Sequence, residues 1–166
     1  VNKYDRQRDR FAYYRHDPND PNTLSENYIF STYVDSDGES WVGTHSKGLN
    51  RLNTSMNQVT RYQNNPADPN SIGSNEKILA IDEDQDGILW IGTANGLDRF
   101  DKRTSTFTHF TRDQGKPESL SANLIYDVFV DSKNEVWIGT VSGLDRLNRE
   151  TGTFTHYYPE AENPTR

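Results

Sequence analysis

One stretch of this chain is written three times. Glu135-Val136-Trp137-Ile138-Gly139-Thr140 is followed by Ser142-Gly143-Leu144-Asp145-Arg146-Leu147. Leu89-Trp90-Ile91-Gly92-Thr93 runs into Asn95-Gly96-Leu97-Asp98-Arg99-Phe100, and Ser40-Trp41-Val42-Gly43-Thr44 into Lys47-Gly48-Leu49-Asn50-Arg51-Leu52. These hold all the tryptophans of the chain, and they stand 49 and 47 residues apart. A period of that size marks a repeat architecture, in which each unit buries its apolar face only by stacking on a neighbour. The longer period contains two insertions. One makes His45-Ser46-Lys47-Gly48 out of what is Ala94-Asn95-Gly96 and Val141-Ser142-Gly143 elsewhere; the other lies between Asn75 and Ile78. Insertions in a repeat map to loops.

Each repeat offers four short strand signals. The first is an apolar run: Ile29-Phe30-Ser31-Thr32-Tyr33-Val34, Ile78-Leu79-Ala80-Ile81, or Ile125-Tyr126-Asp127-Val128-Phe129-Val130. Apolar residues at both phases suit a strand covered on both faces. The turn that follows carries Asp-Gly or Asn (Asp35–Gly38, Asp84–Gly87, Asp131–Asn134), which are hairpin turn residues. The Trp strand comes next. Its glycine, Gly43, Gly92 or Gly139, sits at one phase, where a neighbouring group is expected to approach closely. Gly48, Gly96 and Gly143 then open the third strand. A final hairpin ends each unit, as in Phe107-Thr108-His109-Phe110.

Residues 1–15 enter this pattern half-way, because Val1-Asn2-Lys3-Tyr4 aligns with Leu97-Asp98-Arg99-Phe100 and Phe11-Ala12-Tyr13-Tyr14 with Phe107–Phe110. Between units run Asp17-Pro18-Asn19-Asp20-Pro21-Asn22-Thr23-Leu24-Ser25, its copy Asn65–Gly73, and the degenerate Lys116-Pro117-Glu118-Ser119-Leu120-Ser121. Proline fixes φ and Asp/Asn side chains bond their own backbone, so these are ordered connectors. Leu24, Ile72 and Leu120 are expected to tuck them onto the core.

Four antiparallel strands in about 48 residues describe a propeller blade. The expected fold is an all-β β-propeller segment of four-stranded antiparallel blades, three full blades plus one half blade. Residues 1–24 form the half blade and connector; 25–72, 73–120 and 121–166 form one blade each. Three and a half blades fall short of the ~4 a closed ring needs. The expectation is a piece of a longer receptor, its ring completed by the remaining blades of the parent chain or by a second copy.

These motifs resemble the two-component regulator propeller repeats. The connector of Asp-Pro-Asn-Ser-Leu type, the Asp-x-x-Gly turn, the Trp-Ile-Gly-Thr strand and the Gly-Leu-Asp-Arg strand recur in one order. The resemblance implies the periplasmic sensor region of a hybrid two-component system, with a transmembrane helix and histidine kinase outside this stretch. It also implies small-molecule or oligosaccharide ligands; the sequence shows no recurring site of convergent titratable groups, so sensing is expected rather than catalysis. A propeller enzyme of the lyase or hydrolase kind and a structural protein-interaction propeller are the alternatives.

The net charge is −7 with a pI near 5.0, and no Lys/Arg cluster is present, so nucleic acid is not an expected partner. There are no cysteines, which removes disulfide and thiolate chemistry. No apolar run approaches the ~18 residues of a membrane span, so no direct membrane contact is expected of this segment. Asp82-Glu83-Asp84-Gln85-Asp86-Gly87 has the opening of a calcium loop, but its twelfth position is Thr93 where a bidentate Glu is required. It reads as a hairpin turn, and no metal or cofactor is expected. Gly43 to Gly48 has phosphate-loop spacing, yet Leu49-Asn50 replace the required Lys and Ser/Thr. No nucleophile elbow or paired glycosidase carboxylates occur. His109 and His156 read as exposed strand residues, and His16 lies in a connector. Rigid scaffolds place ligand contacts on variable loops. The candidate ligand contacts are therefore His45, Ser46, Lys47, Asn95 and Ser142 in the turns between second and third strands, with Asn19, Asn70 and Lys116 in the connectors.

Overall fold

A computed structural model describes residues 1–5, 9–53 and 58–158. All regular elements among these are strands, fourteen in number. β1 (Asn2–Asp5) pairs with β2 (Arg10–Tyr13). Three four-stranded antiparallel sheets follow, each a simple meander. The first is β3 (Ile29–Val34), β4 (Ser40–Thr44), β5 (Leu49–Asn53) and β6 (Gln58–Tyr62). The second is β7 (Ala80–Glu83), β8 (Ile88–Thr93), β9 (Gly96–Asp101) and β10 (Thr106–Phe110). The third is β11 (Ile125–Val130), β12 (Val136–Thr140), β13 (Gly143–Asn148) and β14 (Thr153–Tyr157).

The chain is an all-β propeller segment: the first strands β3, β7 and β11 pack side by side at the inner edge. β7 starts two residues later than the apolar run beginning at Ile78. The insertion before it explains the delay. Lys77 takes φ of +48°, and the Ile78 N–H donates to the Thr44 carbonyl of the preceding sheet (3.1 Å). The two insertions meet each other: Lys77 N–H donates to the His45 carbonyl (2.8 Å) and Gly48 N–H to that of Asn75 (3.0 Å). Each extra residue makes room for the other.

The core lies between the sheets. Trp41 on β4 packs with Leu49 against Leu89, Ile91, Phe100 and Phe107, closed off by Ile72 and Ile78. Trp90 on β8 packs with Leu97 against Val136, Ile138, Leu147 and Phe154, closed off by Leu120 and Ile125. Leu24, Ile72 and Leu120 are all buried, as the connectors require. Gly43 and Gly92 have a concrete neighbour. A Cβ at either would lie 2.6 Å from the side chain of Ile78, just ahead of β7, or Ile125, at the start of β11. Trp41 and Trp90 are buried, 1% and 2% exposed. Their identical phase leads one to expect all three tryptophans to be mostly buried, but Trp137 is half-buried, because no further sheet covers its face among the described residues.

Candidate functional site

The pairing of the first strand contains an irregularity at the surface. In β3 the register against β4 slips between Ile29 and Ser31, and in β11 it slips between Ile125 and Asp127. Such a bulge re-aims the residue it bypasses. Those residues are Phe30 and Tyr126, 40% and 58% exposed. Beside Phe30 stands Tyr28, also exposed, with ring centroids 5.4 Å apart. His45 completes the group, its ring 5.0 Å from Tyr28 and 5.4 Å from Phe30. The His45 N–H donates to the Tyr28 carbonyl (3.0 Å), which fixes the turn against the strand start.

The candidate turn is built on Glu26, a residue that sequence reasoning missed. Its carboxylate accepts the backbone N–H groups of both Ser46 and Lys47 and the Ser46 hydroxyl (3.3 Å). The one available signal was an acid just ahead of the first strand. The last threonine of each second strand supports the same turn in all three sheets. Thr44, Thr93 and Thr140 donate to the carbonyls of Gly48, Gly96 and Gly143 at 2.7, 2.9 and 3.1 Å. Asn95 is partly engaged, its amide donating to Ser74 Oγ (3.1 Å). The Ser142 N–H is held by Thr140 Oγ1 (3.1 Å). His45, Ser46 and Lys47 thus form one turn. Asn95 and Ser142 stand at the matching ends of the next two sheets, and no hydrogen bond or ring contact among the described residues joins the three turns. In the connectors, Lys116 makes a loose pair with Asp113 (3.7 Å).

The acidic turns do other work. The first Asp of each turn accepts two turn N–H groups through Oδ1 and, through Oδ2, the indole N–H of the tryptophan six residues on. The indole distances are 2.9 Å for Asp35–Trp41, 2.8 Å for Asp84–Trp90 and 3.1 Å for Asp131–Trp137. A cation from the next sheet then closes the arrangement. Lys102 Nζ donates to Asp35 (3.0 Å), Asp37 (2.7 Å) and Glu83 (2.6 Å), and Arg149 donates to Asp84 and to Asp86 (3.2 Å). Asp35, Asp37 and Glu83 lie close enough to share a metal ion, but the Lys102 ammonium bonds to all three. Burial would lower the Lys102 pKa; the hydrogen bonds it donates to Asp37, Glu83 and Asp35 outweigh it and raise it. Asp35 is likewise opposed by burial, yet the Trp41 and Lys102 bonds hold its carboxyl below the usual carboxylate range.

His109 and His156 are not free strand residues; they pin the connectors. His109 Nδ1 donates to Asp98 (2.6 Å) and His156 Nδ1 to Asp145 (2.7 Å). The second oxygens of those carboxylates accept the N–H of Gly73 (3.0 Å) and Ser121 (2.8 Å). His156 Nε2 also faces the Pro117 carbonyl (2.9 Å). A carboxylate and a carbonyl both accept only, so the ring must carry two protons to satisfy both. Arg61 takes this role in the first sheet, donating to the Asp20, Thr23 and Leu24 carbonyls. The Asp98 hydrogen bond raises the His109 pKa above its ordinary value. For His156 burial acts downward, but the Asp145 bond and the Pro117 carbonyl win and raise it. A raised folded pKa adds stability that is fully present below the unfolded value of about 6.5 and is lost as pH rises through the folded value. The urea midpoint is therefore expected to fall between pH 6 and pH 9. A His109→Gln/His156→Gln double variant should show a smaller fall; an equal fall would remove these pairs as the cause.

The three sheets thus share one turn and one acid–indole bond, and the first two also a cation from the following sheet. The family model described as two component regulator propeller matches residues 72–95 and 119–142. Two of the repeats match that model. No curated protein matches the chain. Among solved structures, the extracellular domain of the candidate hybrid two component system BT3049 from B. thetaiotaomicron superposes with a TM-score of 0.76 at 24% identity, over 90% of this chain and 21% of that one. PorZ, a surface component of the type-IX secretion system of Porphyromonas gingivalis, gives 0.61 at 17% over 93% and 24%. Virginiamycin B lyase from Staphylococcus aureus gives 0.58 at 17% over 86% and 44%. The chain spans about a fifth of the first of these. At such identities the likeness is one of fold. The two matched propeller repeats include the second-to-third strand turns at Asn95 and Ser142.

Proposed function

We infer that this chain is a ligand-sensing segment of an extracytoplasmic propeller domain in a two-component signalling receptor, and that it binds oligosaccharide without turning it over. The observation that carries this reading is the cluster of exposed Tyr28 and Phe30 with half-buried His45 beside the Ser46–Lys47 turn. A pyranose ring presents C–H groups on its face and hydroxyls on its rim. Aromatic surfaces take the first, and a few placed polar groups take the second. Ser46 and Lys47 are at hand for the rim, with Asn95 and Ser142 on the following blades as the extension for a longer ligand. The extracellular position of the B. thetaiotaomicron neighbour supports a location outside the cytoplasm.

A panel of oligosaccharides titrated calorimetrically against the chain is expected to yield binders. Phe30→Ala and His45→Ala should each weaken binding about tenfold, the loss of ~1.4 kcal/mol. Product analysis on the same mixtures should show intact sugar. Binding indifferent to both substitutions would move the site elsewhere, and cleaved products would favour a lyase or hydrolase.

A further inference from the structure

The aromatic position beside His45 has a counterpart two blades on. The register slip that bypasses Phe30 in β3 recurs in β11, where it bypasses Tyr126. The adjoining turn is pinned in the same way. The Val141 N–H donates to the Leu124 carbonyl (3.1 Å), as the His45 N–H does to that of Tyr28. Val141 therefore takes the place of His45 at the strand start. Tyr126 and Val141 are both 58% exposed.

That exposure does not come from an uncovered sheet face. Val128, two residues on from Tyr126, is buried in a cluster with Ala80 and Ile88 of the second sheet, yet Tyr126 stays exposed. On the other side, the equivalent Phe30 has the second sheet after it and is exposed as well. The bypassed residue thus looks out at the end of the blade stack, not at a neighbouring blade. Between the two stands Leu79. Its neighbour Ala80 pairs with Gly92 as Ser31 does with Gly43 and Asp127 with Gly139. Leu79 and the turn residue Ala94 are half-buried. An apolar arc therefore crosses three blades, aromatic at both ends, and each segment has a polar turn tip beside it: Ser46, Asn95 and Ser142, the last two exposed.

We propose that Tyr126 and Val141 form a second sugar subsite, and that the ligand is an extended oligosaccharide lying across the arc, with one unit on Tyr28 and Phe30 and another on Tyr126. The proposal rests on the oligosaccharide reading of the first cluster. A glycan chain repeats one amphipathic unit along its length, with C–H groups on the ring face and hydroxyls on the rim. The arc repeats the complement, an apolar surface with a polar tip, once per blade. A protein partner fits less well, because its contact centre is one continuous patch with the polar groups kept to the rim. Stacked sheets lie about 10 Å apart, so the two steps from β3 to β11 separate the aromatic ends by roughly 20 Å. A disaccharide reaches one end only. A longer chain held at both gains affinity because its second contact is intramolecular.

The test is calorimetric titration of the whole 166-residue chain with cello-, xylo- and malto-oligosaccharide ladders from disaccharide to hexasaccharide. Within a ladder that binds, affinity is expected to rise at least about tenfold from the shortest member to the longest. Tyr126→Ala should abolish the rise and leave the disaccharide affinity as in wild type. Tyr126→Phe, which keeps the ring, should retain the rise. Phe30→Ala should weaken short and long members alike. The urea midpoint of Tyr126→Ala should match wild type, because the side chain is exposed. Affinity that does not change with length, or a rise that survives Tyr126→Ala, overturns the second subsite and leaves the reading of the first cluster standing. Binding by none of the ladders overturns both. Self-association that Tyr126→Ala abolishes, without any rise with length, would assign the arc to a protein partner and overturn the subsite as well.

Discussion

Replacing Trp90 with alanine is expected to destabilise the fold by about 3–5 kcal/mol, the usual cost of truncating a core aromatic. The ring is 2% exposed and lies in the cluster that joins the second and third sheets. Two losses coincide. The cavity opens where two blades meet, so neither sheet can close it alone. The Asp84 carboxylate also loses its indole donor (2.8 Å) and is left to Arg149 and the turn N–H groups. Urea unfolding followed by far-ultraviolet circular dichroism measures the change. Trp137→Ala provides the control. Its ring is at the same phase but half-buried, so its cost should be clearly smaller. Equal costs at the two positions would mean that interblade burial is not what these rings contribute.

Lys102→Gln is expected to cost about 3 kcal/mol, in the range for removing one partner of a buried ion pair. The Asp35 and Glu83 side chains are 1% and 4% exposed, and Lys102 is the cation between them. Without it two buried carboxylates face each other, with Asp37 at the rim. Ionised, they repel; protonated, one can donate to the other. The defect should therefore be largest at neutral pH and shrink as pH falls through the carboxylate range, because the folded variant then takes up a proton that the unfolded chain at neutral pH does not need. A stability difference between wild type and variant that is flat from pH 7 to pH 4 would show that Lys102 acts through its methylene packing rather than its charge.

Much of the site was legible in the sequence because it is local. The turn from His45 to Gly48 was marked by its extra residue, and the Asp-x-x-Gly turns by their chemistry. The role of the extra residue was not legible. It packs against the second insertion at Lys77 rather than standing free. Nor could the aromatic company of His45 be read. Phe30 shares the exposed face of β3 with Thr32 and Val34, Tyr28 stands just before that strand, and the register slip between Ile29 and Ser31 lies beside them. A bulge is a register event between two strands and leaves no mark in one of them. His109 is an exposed strand residue as read and His156 is half-buried, but their hydrogen bonds were not legible for a similar reason: the partners Asp98 and Asp145 lie on the neighbouring strand, and the connector carbonyl beyond is brought close only by folding.

The sequence by itself determined the strand count, the strand order within each sheet, the phase of the tryptophans and the place of each turn. Alternation, glycine and Asp/Asn turn chemistry act over a few residues, and the repeat states them three times. The tertiary structure alone decided which charges meet. Lys102 reaches Asp35 across 67 positions of chain and Arg149 reaches Asp84 across 65, and in both cases the cation comes from the following blade. Such pairings depend on the angle and offset at which one sheet lies on the next. That geometry is set by the whole packed interface, and no local pattern of residues encodes it.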